Sequence, residues 1–175
     1  MRGSVLAPAA EMTTWVFACA VIAAVAVAPM TKYHIKVKVD SDTNFDALRT
    51  YAWTPGWATF DPGLDSHIVA AVDRELASIG LMQRGAGPSD VLVTYGALRR
   101  TNVDVHGKAD RRSGAYPEYA VGTLVVMLLE PGSRRELFRA RVEMPVDMEQ
   151  AQLEGQIDMI VHRMFTHYPT RAFAR

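Results

Sequence analysis

Alternation and helical spacing divide the chain into seven elements. From Tyr33 to Val39 apolar and polar residues alternate without a break. Tyr33, Ile35, Val37 and Val39 fall on one side, and His34, Lys36 and Lys38 on the other. This is the two-residue period of a half-buried strand. A turn-rich stretch from Asp40 to Asn44 leads to a short second strand at Thr50 to Trp53, which Pro55-Gly56 ends. The period then changes. Behind Asp65, Ile68, Val72, Leu76 and Ile79 recur at helical spacing. Asp65 stands where it can cap the first turn, with Leu64 placed to staple onto Val69. Gly80 occupies the position where a helix end favours a left-handed residue, and Leu81 can fold back on Leu76.

The second half reads as strands and one further helix. After Asp90, Val91, Val93 and Tyr95 alternate with Leu92 and Thr94, and the strand continues towards Val105. His106 to Glu118 is a polar, glycine-containing loop. Ala120 to Leu129 is apolar on both faces, as a strand in the middle of a sheet requires. Glu130-Pro131-Gly132-Ser133 makes a hairpin connection. On the returning strand Phe138, Ala140, Val142, Met144 and Val146 point inward while Arg139, Arg141 and Glu143 point out. Pro145 joins the outward set near the end, where a missing ladder donor costs least. Asp147 is placed to cap a last helix with Leu153, Ile157, Ile160, Met164 and Tyr168 as its buried stripe and Pro169 at its end. The order β-β-α-β-β-β-α implies an α+β fold: a largely antiparallel sheet with two helices packed on one face.

Ahead of these elements lies a segment of another kind. Trp15 to Ala28 is an unbroken run of 14 apolar residues, short of the roughly 20 that a membrane-spanning helix needs and suited to the centre of a secretory signal. Ala24-Val25-Ala26 is a small-x-small cleavage signature that makes Val27 the first mature residue. The expected organisation is a signal sequence over 1–26, a linker and first strand over 27–44, and the rest of a single domain over 45–175, the domain itself beginning near residue 32. The alternative to cleavage is a retained anchor. Cys19 lies near the beginning of the apolar run behind a large Phe17, whereas a lipidation motif closes such a run with small residues.

Composition narrows the field of activities. Lys plus Arg and Asp plus Glu number 19 each, and removal of Arg2 and Glu11 with residues 1–26 leaves 18 against 18. A neutral chain lacks the global basic field that drives binding to nucleic acid. Cys19 is the one cysteine, so the mature domain has no thiol for a disulfide, a nucleophile or a thiolate metal site.

Several segments together resemble a known family. Asp46 to Trp53, Asp65-Ser66-His67-Ile68 with Ala71 to Leu76, Ser89 to Tyr95, Gly122 to Val126, and the last helix running into Tyr168-Pro169 are similar in order and spacing to the exported bacterial proteins grouped as domain of unknown function 4136. The resemblance covers nearly the whole mature chain and implies an exported envelope protein, often a lipoprotein. It implies no activity.

The chemistry-bearing constellations favour structural explanations. Asp65-Ser66-His67 contains the letters of a hydrolase triad, but consecutive residues in a helical turn point in different directions, so capping explains them better. Asp158 and His162 share a helix face and read as a surface carboxylate–imidazole pair without a third metal ligand. His167 suits the helix's C-terminal dipole. Tyr51, Trp53, Trp57 and Phe60 crowd one stretch; Tyr51 and Trp53 are expected under the helices, and Trp57 over a loop. Arg99, Arg100, Lys108, Arg111 and Arg112 gather positive charge around the central loop.

The expectation is therefore a non-catalytic, envelope-associated domain with a partner-binding or accessory role and no cofactor, metal or nucleic acid. Its interaction surface is expected at Trp57, Arg111, Arg112 and Tyr116, its partner an envelope protein. Contact with the membrane is expected only through the N-terminal segment, if uncleaved. The alternative is a small enzyme, or a glycan- or lipid-binding domain, acting on an envelope substrate. Export is tested by fusing alkaline phosphatase after Thr31. The fusion is expected to be active, and inactivity in a strain that exports control fusions would contradict it.

Overall fold

The computed structural model describes residues 33–56 and 62–169. Its strands are β1 (Ile35–Val39), β2 (Thr50–Trp53), β3 (Met82–Gln83), β4 (Val91–Val103), β5 (Glu118–Leu129) and β6 (Glu136–Pro145), and its helices are α1 (Pro62–Ser78) and α2 (Gln150–Phe165). The six strands form one sheet in the order β1-β6-β5-β4-β2-β3. β1, β6, β5 and β4 pair antiparallel. β2 runs parallel to both β3 and β4, so the sheet is mixed. The cause is α1: it carries the chain back from the end of β2 to its beginning, and the next strands must leave in the same direction. β3 and the 3-10 turn at Phe45–Ala47 are too short to give a readable period.

Both helices lie on one face. Ile68, Val72 and Leu76 of α1 and Ile157, Ile160, Val161 and Met164 of α2 are buried with Val93, Tyr95, Val126, Leu128, Phe138, Ala140 and Val142 of the sheet. Alternation decides which strand residues join them. On β6 Phe138, Ala140, Val142 and Met144 are buried while Arg139, Arg141 and Glu143 are exposed. The end of α1 follows its expected design: Gly80 is left-handed at φ 89°, and the Leu81 N–H donates to the Leu76 carbonyl at 3.0 Å. Phe45, Phe138, Phe165 and Tyr168 close the core beneath β6 through ring contacts of 5.2–5.8 Å.

Both expected helix caps are corrected. α1 begins at Pro62, so Asp65 lies inside the first turn; proline presets the backbone angle of a first helical residue, and the apolar stripe gives no sign of it. Asp147 does not cap α2, which starts at Gln150 with Glu149 before it and no side-chain cap bond. The Asp147 carboxylate instead accepts from the Ala120 N–H and faces Arg99 at 3.5 Å. It thereby fixes the start of α2 to β5. Gly56 answers a different demand: a side chain there would collide with the carbonyl of Tyr95, so only glycine lets the chain leave β2 so close to β4.

β4 and β5 share a ladder from Leu92↔Leu129 to Val103↔Glu118. At about 3.3 Å per residue the 13 residues of β4 span roughly 43 Å, whereas at 1.5 Å per residue the 17 residues of α1 span about 25 Å. Burial on β4 ends at Ala97, and from Leu98 the strand is largely exposed on both faces. Leu76, near the end of α1, is fully buried in the core under the covered region. Leu76→Ala is expected to cost about 2–5 kcal/mol, read from the denaturant midpoint. A loss below half the lower end of that range would show that this stripe does not pack against the sheet.

Candidate functional site

Where the β4–β5 ladder outruns the helices and then β6, whose pairing with β5 ends at Val121↔Pro145, it forms a two-stranded arm tipped by residues 104–117. Seven large apolar side chains are strongly exposed among the described residues; four of them, Val103, Val105, Tyr116 and Tyr119, lie on this arm, and a fifth, Leu98, lies on β4 just before it. Scattered exposed apolar residues are ordinary, but a cluster on one element marks an interaction site.

The tip is shaped by two aspartates. Asp104 donates its N–H to the Pro117 carbonyl at 2.8 Å and accepts from the His106 N–H at 3.0 Å. The Asp110 carboxylate accepts from the N–H groups of Ser113 and Arg112 at 2.8 and 2.9 Å and from the Ser113 hydroxyl at 3.0 Å. These bonds, that from the Ser113 N–H first, hold its carboxyl below the usual range. Gly114 takes the left-handed turn at φ 71°. Aspartates that bond to nearby N–H groups stabilise such turns locally. Arg111, Arg112 and Tyr116 stand exposed on this frame, so three of the four expected interaction residues share one tip. Trp57 lies outside the described residues.

Other candidates disperse. Arg99 pairs with Asp147 at 3.5 Å and Arg100 with Glu143 at 2.9 Å. As neighbours on a strand they point to opposite faces, so the basic cluster reduces to Lys108, Arg111 and Arg112. Asp158 and His162 do not pair with each other. Asp158 takes Arg74 at 2.5 Å and His67 at 3.0 Å, and His162 takes Glu75 at 3.0 Å. Each reaches across to α1 because the helices pack side by side. Asp65, Ser66 and His67 form no relay: the Ser66 hydroxyl donates to the Gly63 carbonyl at 2.9 Å and His67 turns to α2. Among the described residues no three metal-ligating side chains converge.

Tyr51 and Trp53 lie under α1, as expected. The Tyr51 hydroxyl and the Trp53 indole N–H donate to one Asp73 oxygen at 2.7 and 2.9 Å. Burial, and then that carboxylate, push the Tyr51 hydroxyl up in pKa, which makes it a donor rather than an acid–base group. Leu98, Val103, Val105 and Tyr119 were not singled out by sequence reasoning; the signal available was the length of the strand opened at Asp90, which exceeds what one helix can cover.

Fold and surface together define a two-layer α+β domain, one sheet with helices on one face, whose carboxylates and imidazoles hold its helices and turns and whose exposed apolar side chains gather at an arm. The chain belongs to the family described as Domain of unknown function (DUF4136), which matches residues 35–170. No curated protein matches it. Among solved structures it is similar to a PDZ domain protein from Parabacteroides distasonis, at 16% identity and a TM-score of 0.53 over 77% of this chain and 35% of that one. It thus spans about a third of that protein's length. It is also similar to PelC, a dodecamer from Paraburkholderia phytofirmans, at 8% identity and a TM-score of 0.52 over 80% of this chain and 98% of that one. At such identities the likeness is one of fold.

Proposed function

We propose that this domain is a non-catalytic, envelope-associated binding module that captures a partner protein with its β4–β5 arm. The observation that carries the reading is the concentration of exposed Val103, Val105, Tyr116 and Tyr119 on one projecting hairpin, with Leu98 exposed at its base. Apolar and tyrosine side chains supply contact area, and the guanidinium groups of Arg111 and Arg112 supply directed hydrogen bonds at the rim. These residue types dominate protein interfaces. A tip held by its own aspartate turns is also ordered before binding, which lowers the entropic cost of capture. Membership of a family with exported members, and the apolar run at Trp15–Ala28, support an envelope location.

The test places a photo-crosslinking residue at Val105 or Tyr116 in cells, with Arg84, exposed away from the arm, as control. Adducts to one other envelope protein are expected at both arm positions and absent at Arg84. Adducts only between copies of this chain, or equal labelling at Arg84, would contradict the reading, as would substrate turnover by the purified protein. Arg111→Ala with Arg112→Ala is expected to weaken capture at least tenfold while changing stability by less than about 0.5 kcal/mol, as for other exposed substitutions.

A further inference from the structure

The sheet face turned away from the helices carries a charge pattern that folding does not need. Pairing of β1 with β6 sets Lys36 directly opposite Arg141 and Lys38 directly opposite Arg139. Like charges in such positions repel and destabilise a sheet. β5 places Val125 beside Arg141 and Met127 beside Arg139, so the four cations surround an apolar floor. Two residues apart along a strand at about 3.3 Å each, the two cationic pairs are roughly 7 Å from each other. Between them lies an open groove of about 360 Å³.

Two carboxylates on this face serve five cations. Glu136 meets Lys38 at 3.6 Å and Arg139 at 3.2 Å. Glu143 meets Arg141 at 2.6 Å and Arg100 at 2.9 Å. Lys36 is at ion-pair distance of neither. The face keeps three net positive charges, although the whole chain is neutral. An anionic counterpart would relieve the opposed pairs, and breaches of local pairing rules are expected at functional or strained sites.

We propose that this face docks onto the anionic phospholipid headgroups of a bilayer. Charge complementarity favours phosphate-rich surfaces, each Lys or Arg near such a surface contributing about 1 kcal/mol. Long side chains lying over Val125 and Met127 with their charged ends outward suit the boundary between acyl and headgroup regions. Chain length favours lipid as the phosphate source where the apolar run is retained as an anchor. Only six residues, Pro29 to His34, separate the apolar run from β1, and six residues reach at most about 20 Å. A chain held at the membrane by that run keeps Lys36 and Lys38 within reach of the headgroups. This last point rests on retention of the N-terminal segment as an anchor, the alternative to cleavage after Ala26; the charge pattern does not.

The test uses the full chain on vesicles of phosphatidylcholine alone or with about one-third phosphatidylglycerol, an anionic content sufficient for electrostatic attraction. Lysine acetylation is quantified residue by residue. Lys36 and Lys38 are expected to be labelled at least threefold more slowly on the anionic vesicles, while Lys108 on the arm is labelled equally on both. In Arg139→Gln with Arg141→Gln the protection is expected to disappear without a fall in thermal midpoint, since opposed charges have been removed. Equal labelling of Lys36 and Lys38 on both vesicles would overturn the proposal, as would equal protection at Lys108 or the same protection by inorganic phosphate alone. Flotation with the phosphatidylcholine vesicles reports separately on the apolar run, so failure of the anchor is distinguishable from failure of the face.

Discussion

One constraint organises this domain: two helices must seal one face of a sheet whose central strands are longer than the helices. α1, at 17 residues, covers β4 only as far as Ala97. Within that limit every device serves closure. Leu64, Ile68, Val72 and Leu76 descend onto the sheet, Gly80 turns the chain sharply enough for Leu81 to return to the core, and Asp147 ties α2 back to β5. Beyond that limit β5 stays buried at Ala120, Val121 and Gly122, beside β6, and only past them does the ladder continue with no second layer to bury its side chains. The exposed Leu98, Val103 and Tyr119 follow from this mismatch, because β-propensity favours such residues on a strand whether or not a core receives them.

The same single helix layer determines the opposite face. A central strand apolar on both sides ordinarily implies cover on both sides, and β5 has helices on one only. Long cationic side chains of β1 and β6 partly shield Val125 and Met127 instead, at the cost of placing lysines opposite arginines. Two surfaces therefore lie outside what packing demands, one apolar and projecting, the other flat and cationic. The core shows no comparable excess: Tyr51 and Trp53 satisfy their polar ends on Asp73, and among the described buried side chains only the hydroxyls of Tyr95 and Tyr168 lack a partner.

Sequence pattern was most informative where one side of an element is buried and the other wet. The inward and outward residues of β1 and β6, the stripes of α1 and α2, the Gly80 turn and the short β2 all follow from periodicity and turn chemistry. What escaped is what periodicity cannot carry. The parallel pairing of β2 depends on the path α1 takes, and β3 has two residues. α1 begins at Pro62, which the apolar stripe does not signal, and α2 begins after Glu149 without a side-chain cap because the carboxylate of Asp147 is taken by the Ala120 N–H. Of the candidate surface, Arg111, Arg112 and Tyr116 were legible as polar excess in a long loop. The apolar part of the arm was not, since Leu98 and Val103 have the same pattern as buried strand residues, and only the extent of the helix layer distinguishes them.

Amide hydrogen exchange on the isolated protein tests most directly whether the arm lies outside the closed structure. Amides of Val91–Ala97 and Leu124–Leu128 are expected to exchange only through global opening. Those of Leu98–Val103, although bonded in the same ladder, are expected to exchange about a hundredfold faster or more through local fraying, since local stability follows the buried contacts around a hydrogen bond. Uniform protection along β4 from Val91 to Val103 would contradict this, because it would mean that the arm is covered and that its apolar residues belong to the core.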